Sequence, residues 1–133
     1  MQISSQAVHA EYQQGQIGSA DPLRIIVLLY EGALQFSRQA LEKFDEPAVR
    51  GHALGRAHRI VSELFAALDH DKGHEIAANL DALYGFLLDA LTRANANGDH
   101  KALKDAIEVL QALLPAWRGI ESRAKTESSE LHG

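Results

Sequence analysis

The chain has 133 residues, 46% of them hydrophobic and 23% charged, a net charge of -5 and no cysteine. That length fits one domain around a single core, and the missing thiols exclude disulfides and thiolate metal sites and suit a reducing compartment. With 18 acidic against 13 basic residues and no Lys/Arg cluster, the basic face that nucleic-acid binding needs is absent.

The N-terminal stretch MQISSQAVHAEYQQGQ has neither a positive flank nor an apolar core, so it does not read as a secretory signal. No apolar run approaches the roughly 20 residues that span a bilayer, so direct membrane insertion is not expected and the setting is read as cytoplasmic. Residues 1–20 are rich in Gln, Ser, Ala and Gly, with Tyr12 and Ile17 the notable apolar groups, and are expected to form a flexible arm.

The first predicted helix runs from Pro22 to about Phe44. Asp21 is placed to cap it and Pro22 fits the first helical position. Leu23, Ile25, Ile26, Val27, Leu28, Leu29 and Tyr30 make its opening apolar around most of the circumference, broken only by Arg24. A helix packing one face on a core needs an apolar stripe, not a sleeve. Ala33, Leu34, Phe36, Ala40 and Leu41 then continue at helical spacing, which argues against a strand.

Pro47 starts the second helix, where Val49, Ala53, Ala57, Ile60, Leu64 and Leu68 keep a 3.6-residue rhythm. DHDKGH (69–74) reads as a polar loop. The third helix carries Ile76, Leu80, Leu83, Tyr84, Leu87, Leu88 and Leu91 and stops at Asn97-Gly98, a natural left-handed cap. Asp99 caps the fourth, with Leu103, Ile107, Leu110, Leu114 and Trp117 on its apolar side. Pro115 is expected to kink or end that helix. Residues 121–133 are polar and expected to be disordered.

Short connections between long helices make neighbours antiparallel. The expected fold is therefore all-α: an antiparallel up-down four-helix bundle over residues 21–120, with a mobile N-terminal arm and a polar tail.

Catalytic signatures are missing: no cysteine nucleophile, phosphate-cradling glycine loop or HExxH occurs. Asp69, His70, Asp71 and His74 fall in a loop where their spacing no longer places them on one face, so a solvated loop is the better reading than a metal site. His52 and His58, with Gly55 near, suggest a histidine phosphotransfer bundle, but no Lys follows His52 where incoming phosphoryl charge would need it. Di-iron carboxylate chemistry would require inward Glu-x-x-His pairs, which the chain lacks.

Tyr30, Tyr84 and Trp117 recur among apolar neighbours and suit core packing or an aromatic floor for a partner helix. Gly85, in mid-helix, costs about 1 kcal/mol relative to Ala. The surplus apolar surface of the first helix marks an interaction face. A second copy, a partner's amphipathic helix, or the chain's own arm could cover it.

The runs EYQQGQIGSADPLRIIVLLYEGALQF, IVSELFAALD, GHEIAANLDALYGFL, RANANGD and LLPAWRGI, in order over about residues 11–120, resemble the FliS flagellar export chaperones. The resemblance implies a non-enzymatic helical bundle without metal or cofactor. It implies binding of flagellin's disordered C-terminal segment, which blocks premature polymerisation and readies the subunit for the membrane protein of the export gate. It also implies an arm that covers part of the groove when no client is bound, and a co-chaperone or regulator is a compatible further partner.

The client-binding residues expected on this basis are Leu23, Ile26, Val27, Tyr30, Leu80, Leu83, Tyr84 and Leu87, some of which must serve only the core. Asn79 and Asn95 are candidates for bonding the client backbone, Asn95 serving helix termination equally well, and Tyr12 and Ile17 form the gate. Asp21 and His74 stand where the family usually has Ser and one of two glycines. Pro115 and Gly85 also depart from it. A histidine phosphotransfer module and a homodimeric helical scaffold are the alternative readings.

Overall fold

The computed structural model describes residues 21–132. Among them four helices follow one another: α1 (Pro22–Glu42), α2 (Pro47–Ala66), α3 (His70–Asn97) and α4 (His100–His132). Each packs on its sequence neighbours and α4 closes back on α1, while the diagonal pairs α1–α3 and α2–α4 make no backbone contact. The expected antiparallel four-helix bundle is what forms. Arg118 meets Glu31 and Arg24 meets Glu121, so residue numbers fall on α1 as they rise on α4.

The helix ends follow local chemistry. Asp21 Oδ1 accepts the Arg24 amide at 3.2 Å, and Pro22 needs no partner for an N–H it lacks. Gly98, at φ 63, ends α3 in the left-handed region, and Asp99 Oδ1 then accepts the Ala102 amide at 3.0 Å. Asp69 caps α3 through the amides of Asp71 and Lys72, both at 3.1 Å.

Two segments differ from the sequence expectation. DHDKGH is not wholly loop: a first turn begins at His70, and the helix is broken at His74, whose φ of 46° and ψ of -119° lie outside the helical region. The break lets His70 Nε2 come within 3.4 Å of Asp81 Oδ2, eleven residues further along the chain. A left-handed φ suits glycine, so histidine is strained there.

The second difference is the C-terminus. Helix α4 passes through Pro115 and continues to His132, where a polar disordered tail was expected from 121. Extending an existing helix gains a hydrogen bond per residue without a new nucleus. The turns beyond the proline are also held: Trp117 packs on the core, Arg118 pairs with Glu31, and Glu121 is bridged by Arg24 at 3.7 Å and Lys125 at 3.5 Å.

The core runs the length of the bundle and includes Tyr30, Leu54, Val61, Tyr84, Leu87, Leu91, Leu103 and Leu110, with Ala33, Ala53, Ala57, Ala90 and Ala106 allowing close approach. The opening sleeve of α1 is explained by its position. Val27, Leu29 and Tyr30 are buried, and Ile25 and Ile26 are half-buried against the core, because α1 has helices on both flanks.

Candidate functional site

The predicted site residues divide by depth. Val27, Tyr30, Tyr84 and Leu87 are at most 2% exposed and belong to the core, so they form no open groove in this structure. Leu23, Ile26, Leu80 and Leu83 are half-buried, and Asn79 and Asn95 are exposed. A single groove made jointly by the α1 and α3 faces does not exist, because these helices are diagonal. Their meeting point is internal. Tyr12 and Ile17 lie outside the described residues.

At that meeting point the Tyr30 and Tyr84 hydroxyls share a 2.7 Å hydrogen bond. The two rings are 6.3 Å apart, and Trp117 lies 6.1 Å from Tyr30. Burial pushes both phenols above their ordinary ionisation range; at Tyr30 the Tyr84 hydroxyl and the Trp117 indole partly offset this. This is a structural polar bridge through a core whose other fully buried polar side chain is Ser37.

The open apolar surface lies elsewhere. On α4, Gln111, Leu114 and Arg118 turn toward α1, so Val109, Leu113, Ala116 and Ile120, nearly half a turn around, border α3. On α3, Asn95 faces Gly51 of α2, where a Cβ would sit 3.4 Å from its Oδ1. Ile76, Leu83 and Phe86 are on the other flank and border α4. Ile76 is 70% exposed, and Phe86 and Ile120 are each 38% exposed.

The α3–α4 seam therefore carries an apolar strip left over after the core is filled. Asn79 shares its flank; Asn95 does not. The sequence reading did not single out Phe86 or Ile120 as candidates and named Ile76 only among the apolar residues of the third helix. The available signal was their helical spacing on one flank, Leu83 and Phe86 lying seven and ten residues after Ile76. Gly85, next to Phe86, has open space where a side chain would begin, so no packing among the described residues requires it.

Among the described residues, the histidines do not cluster with one another into a candidate reaction centre. Arg56 Nε donates to His52 Nε2 at 2.9 Å, engaging the lone pair that phosphoryl transfer would use. Among the described residues, no group of three His, Asp or Glu is placed to hold a metal ion. No helix among them is long and apolar enough to cross a membrane.

Comparison with known proteins identifies a family. The family described as "Flagellar protein FliS" matches residues 4–124. The flagellar secretion chaperone FliS of Vibrio cholerae serotype O1 is 33% identical over 120 residues, covering 88% of each chain. That of Salmonella typhimurium is 35% identical over 120 residues, covering 87% of this chain and 88% of its own. The flagellar secretion chaperone FliSB of Pseudomonas aeruginosa is 35% identical over 117 residues, covering 83% and 92%.

Proposed function

Because the chain belongs to the FliS family of flagellar proteins, we propose that it is a cytoplasmic export chaperone for flagellin. It binds the disordered C-terminal segment of the subunit, prevents premature polymerisation, and delivers it to the membrane protein of the flagellar export gate. The observation that carries this reading is the apolar strip of Ile76, Leu83, Phe86 and Ile120 along the α3–α4 seam, open beside a complete core.

Exposed apolar side chains at helical spacing suit the apolar face of an amphipathic client helix. Leu80 deepens the strip, and the Asn79 amide can bond client backbone where that helix ends. Leu23 and Ile26, half-buried at the start of α1, form a separate contact for a client that wraps the bundle. Tyr12 and Ile17 belong to the arm that competes for the client surface. The chemistry is binding alone, and it requires no cofactor.

A disordered client loses conformational freedom on binding, so affinity must come from buried apolar area, whose signature is a negative heat-capacity change. Calorimetric titration with the C-terminal segment of the same organism's flagellin tests this. One-to-one binding with negative heat-capacity change is expected. Phe86→Asp should weaken it at least tenfold without changing the thermal melt appreciably, since Phe86 is outside the core cluster. A folded wild-type chain that does not bind the segment would overturn the reading.

A further inference from the structure

The turn between α3 and α4 carries a reactive pair that client binding does not use. Helix α3 ends at Asn97 and α4 begins at His100, so Gly98 and Asp99 alone join them. Asn97 and Gly98 are both exposed, and beyond its chain neighbours no atom lies within 4 Å of where a Gly98 side chain would begin. The side-chain carbonyl carbon of an asparagine is open to attack by the main-chain nitrogen of the residue that follows. A side chain on that following residue hinders the approach, and glycine has none.

The other two asparagines, Asn79 and Asn95, lack this opening. They stand within α3, before Leu80 and Ala96, so a side chain crowds each attacking nitrogen. Asn95 is also pinned: its main-chain carbonyl accepts Arg50 Nη2 at 3.4 Å, and its side chain faces Gly51.

We infer that Asn97 is a site of spontaneous deamidation whose rate is restrained by the hydrogen bonds of the turn. The Gly98 nitrogen gives its proton to hydroxide and attacks Asn97 Cγ. The new N–C bond closes a five-membered imide as the bond from Cγ to the side-chain nitrogen breaks and ammonia leaves. Water then opens the ring at either carbonyl, to aspartate or to isoaspartate, so one water is consumed for each ammonia released. In the folded chain the attacking nitrogen is engaged. The amides of Gly98 and Asp99 both donate to the Arg93 carbonyl, the second at 3.3 Å. Asp99 Oδ1 fixes the far side of the turn through the Ala102 amide at 3.0 Å. Asn97 has to leave helical geometry before its Cγ meets that nitrogen, so the reaction waits on fraying at the end of α3.

The product changes the joint itself. Isoaspartate adds a main-chain carbon to a two-residue connection and displaces the left-handed cap at Gly98. Either product places a carboxylate beside Asp99 at the negative end of the α3 dipole. The aged chain is therefore weakened where the two helices that border the apolar strip are joined.

Incubating the full chain in warm, mildly alkaline buffer tests this. Tandem mass spectrometry of the 94–101 tryptic peptide should place a gain of about one dalton at Asn97, and isoaspartyl methyltransferase should label the same peptide. The gain should be about thirtyfold faster in urea, and about threefold faster in folded Asp99→Ala, where the turn frays more often. Asn97→Gln should lose the gain and keep its melting temperature through an incubation that lowers that of the wild type by about 3 °C. No detectable gain at Asn97 in the folded chain, over a period that converts the urea-unfolded chain completely, would overturn the inference. Equal rates in all three samples, or an earlier gain at Asn79 or Asn95, would do so as well.

Discussion

Removing the hydroxyls of Tyr30 and Tyr84 tests whether the diagonal bridge holds the core in one arrangement. The two oxygens are 2.7 Å apart, on side chains 0% and 2% exposed, and they join helices that share no backbone contact. Tyr30→Phe leaves the Tyr84 hydroxyl buried without a partner, at a cost of about 2 kcal/mol. Tyr84→Phe should cost less, about 1 kcal/mol, because the Tyr30 hydroxyl keeps the Trp117 indole as a neighbour. With both hydroxyls gone nothing is left unsatisfied. The double variant should therefore be less destabilised than the two single losses together, by about 1 kcal/mol. Urea unfolding of the four proteins measures this directly.

Alkaline titration gives a second reading of the same bridge. Burial raises both phenols above the ordinary value of 10.0, so above that pH the unfolded chain has lost protons that the folded chain keeps. The folded state then becomes less stable as pH rises, by up to about 1.4 kcal/mol per pH unit for each tyrosine. Below pH 10 the bridge contributes in full. The double phenylalanine variant should lose this dependence from the two positions. Strictly additive losses in urea, or an alkaline slope identical to that of the wild type, would refute the account.

Two further substitutions address the helix ends. His74→Gly relieves a residue held at φ 46; against the greater flexibility of glycine in the unfolded chain, the net gain should be about 1 kcal/mol, read as a melting temperature raised by about 3 °C. Asp99→Ala removes the acceptor for the Ala102 amide at 3.0 Å and should cost about 1 kcal/mol in urea unfolding; a loss within error would show that solvent satisfies that amide equally well.

The sequence alone determined what depends on neighbours along the chain. Apolar residues three and four apart defined the helices. Asp21, Gly98 and Asp99 marked their ends, since capping needs only a side chain within reach of the next turn. Pro115 and the polar run after it were misleading because their local preferences oppose a helix, whereas Trp117, Arg118 and Glu121 tie those turns to α1. The proposed client face was only partly legible. Leu, Ile, Val and Tyr serve a core and a groove equally well, and periodicity says that a face is apolar without saying what lies against it. Only the order of the helices around the bundle decided that Tyr30 and Tyr84 meet inside while Ile76 and Phe86 remain outside. That order brings together residues more than fifty positions apart, and burial depends on which helices sit side by side.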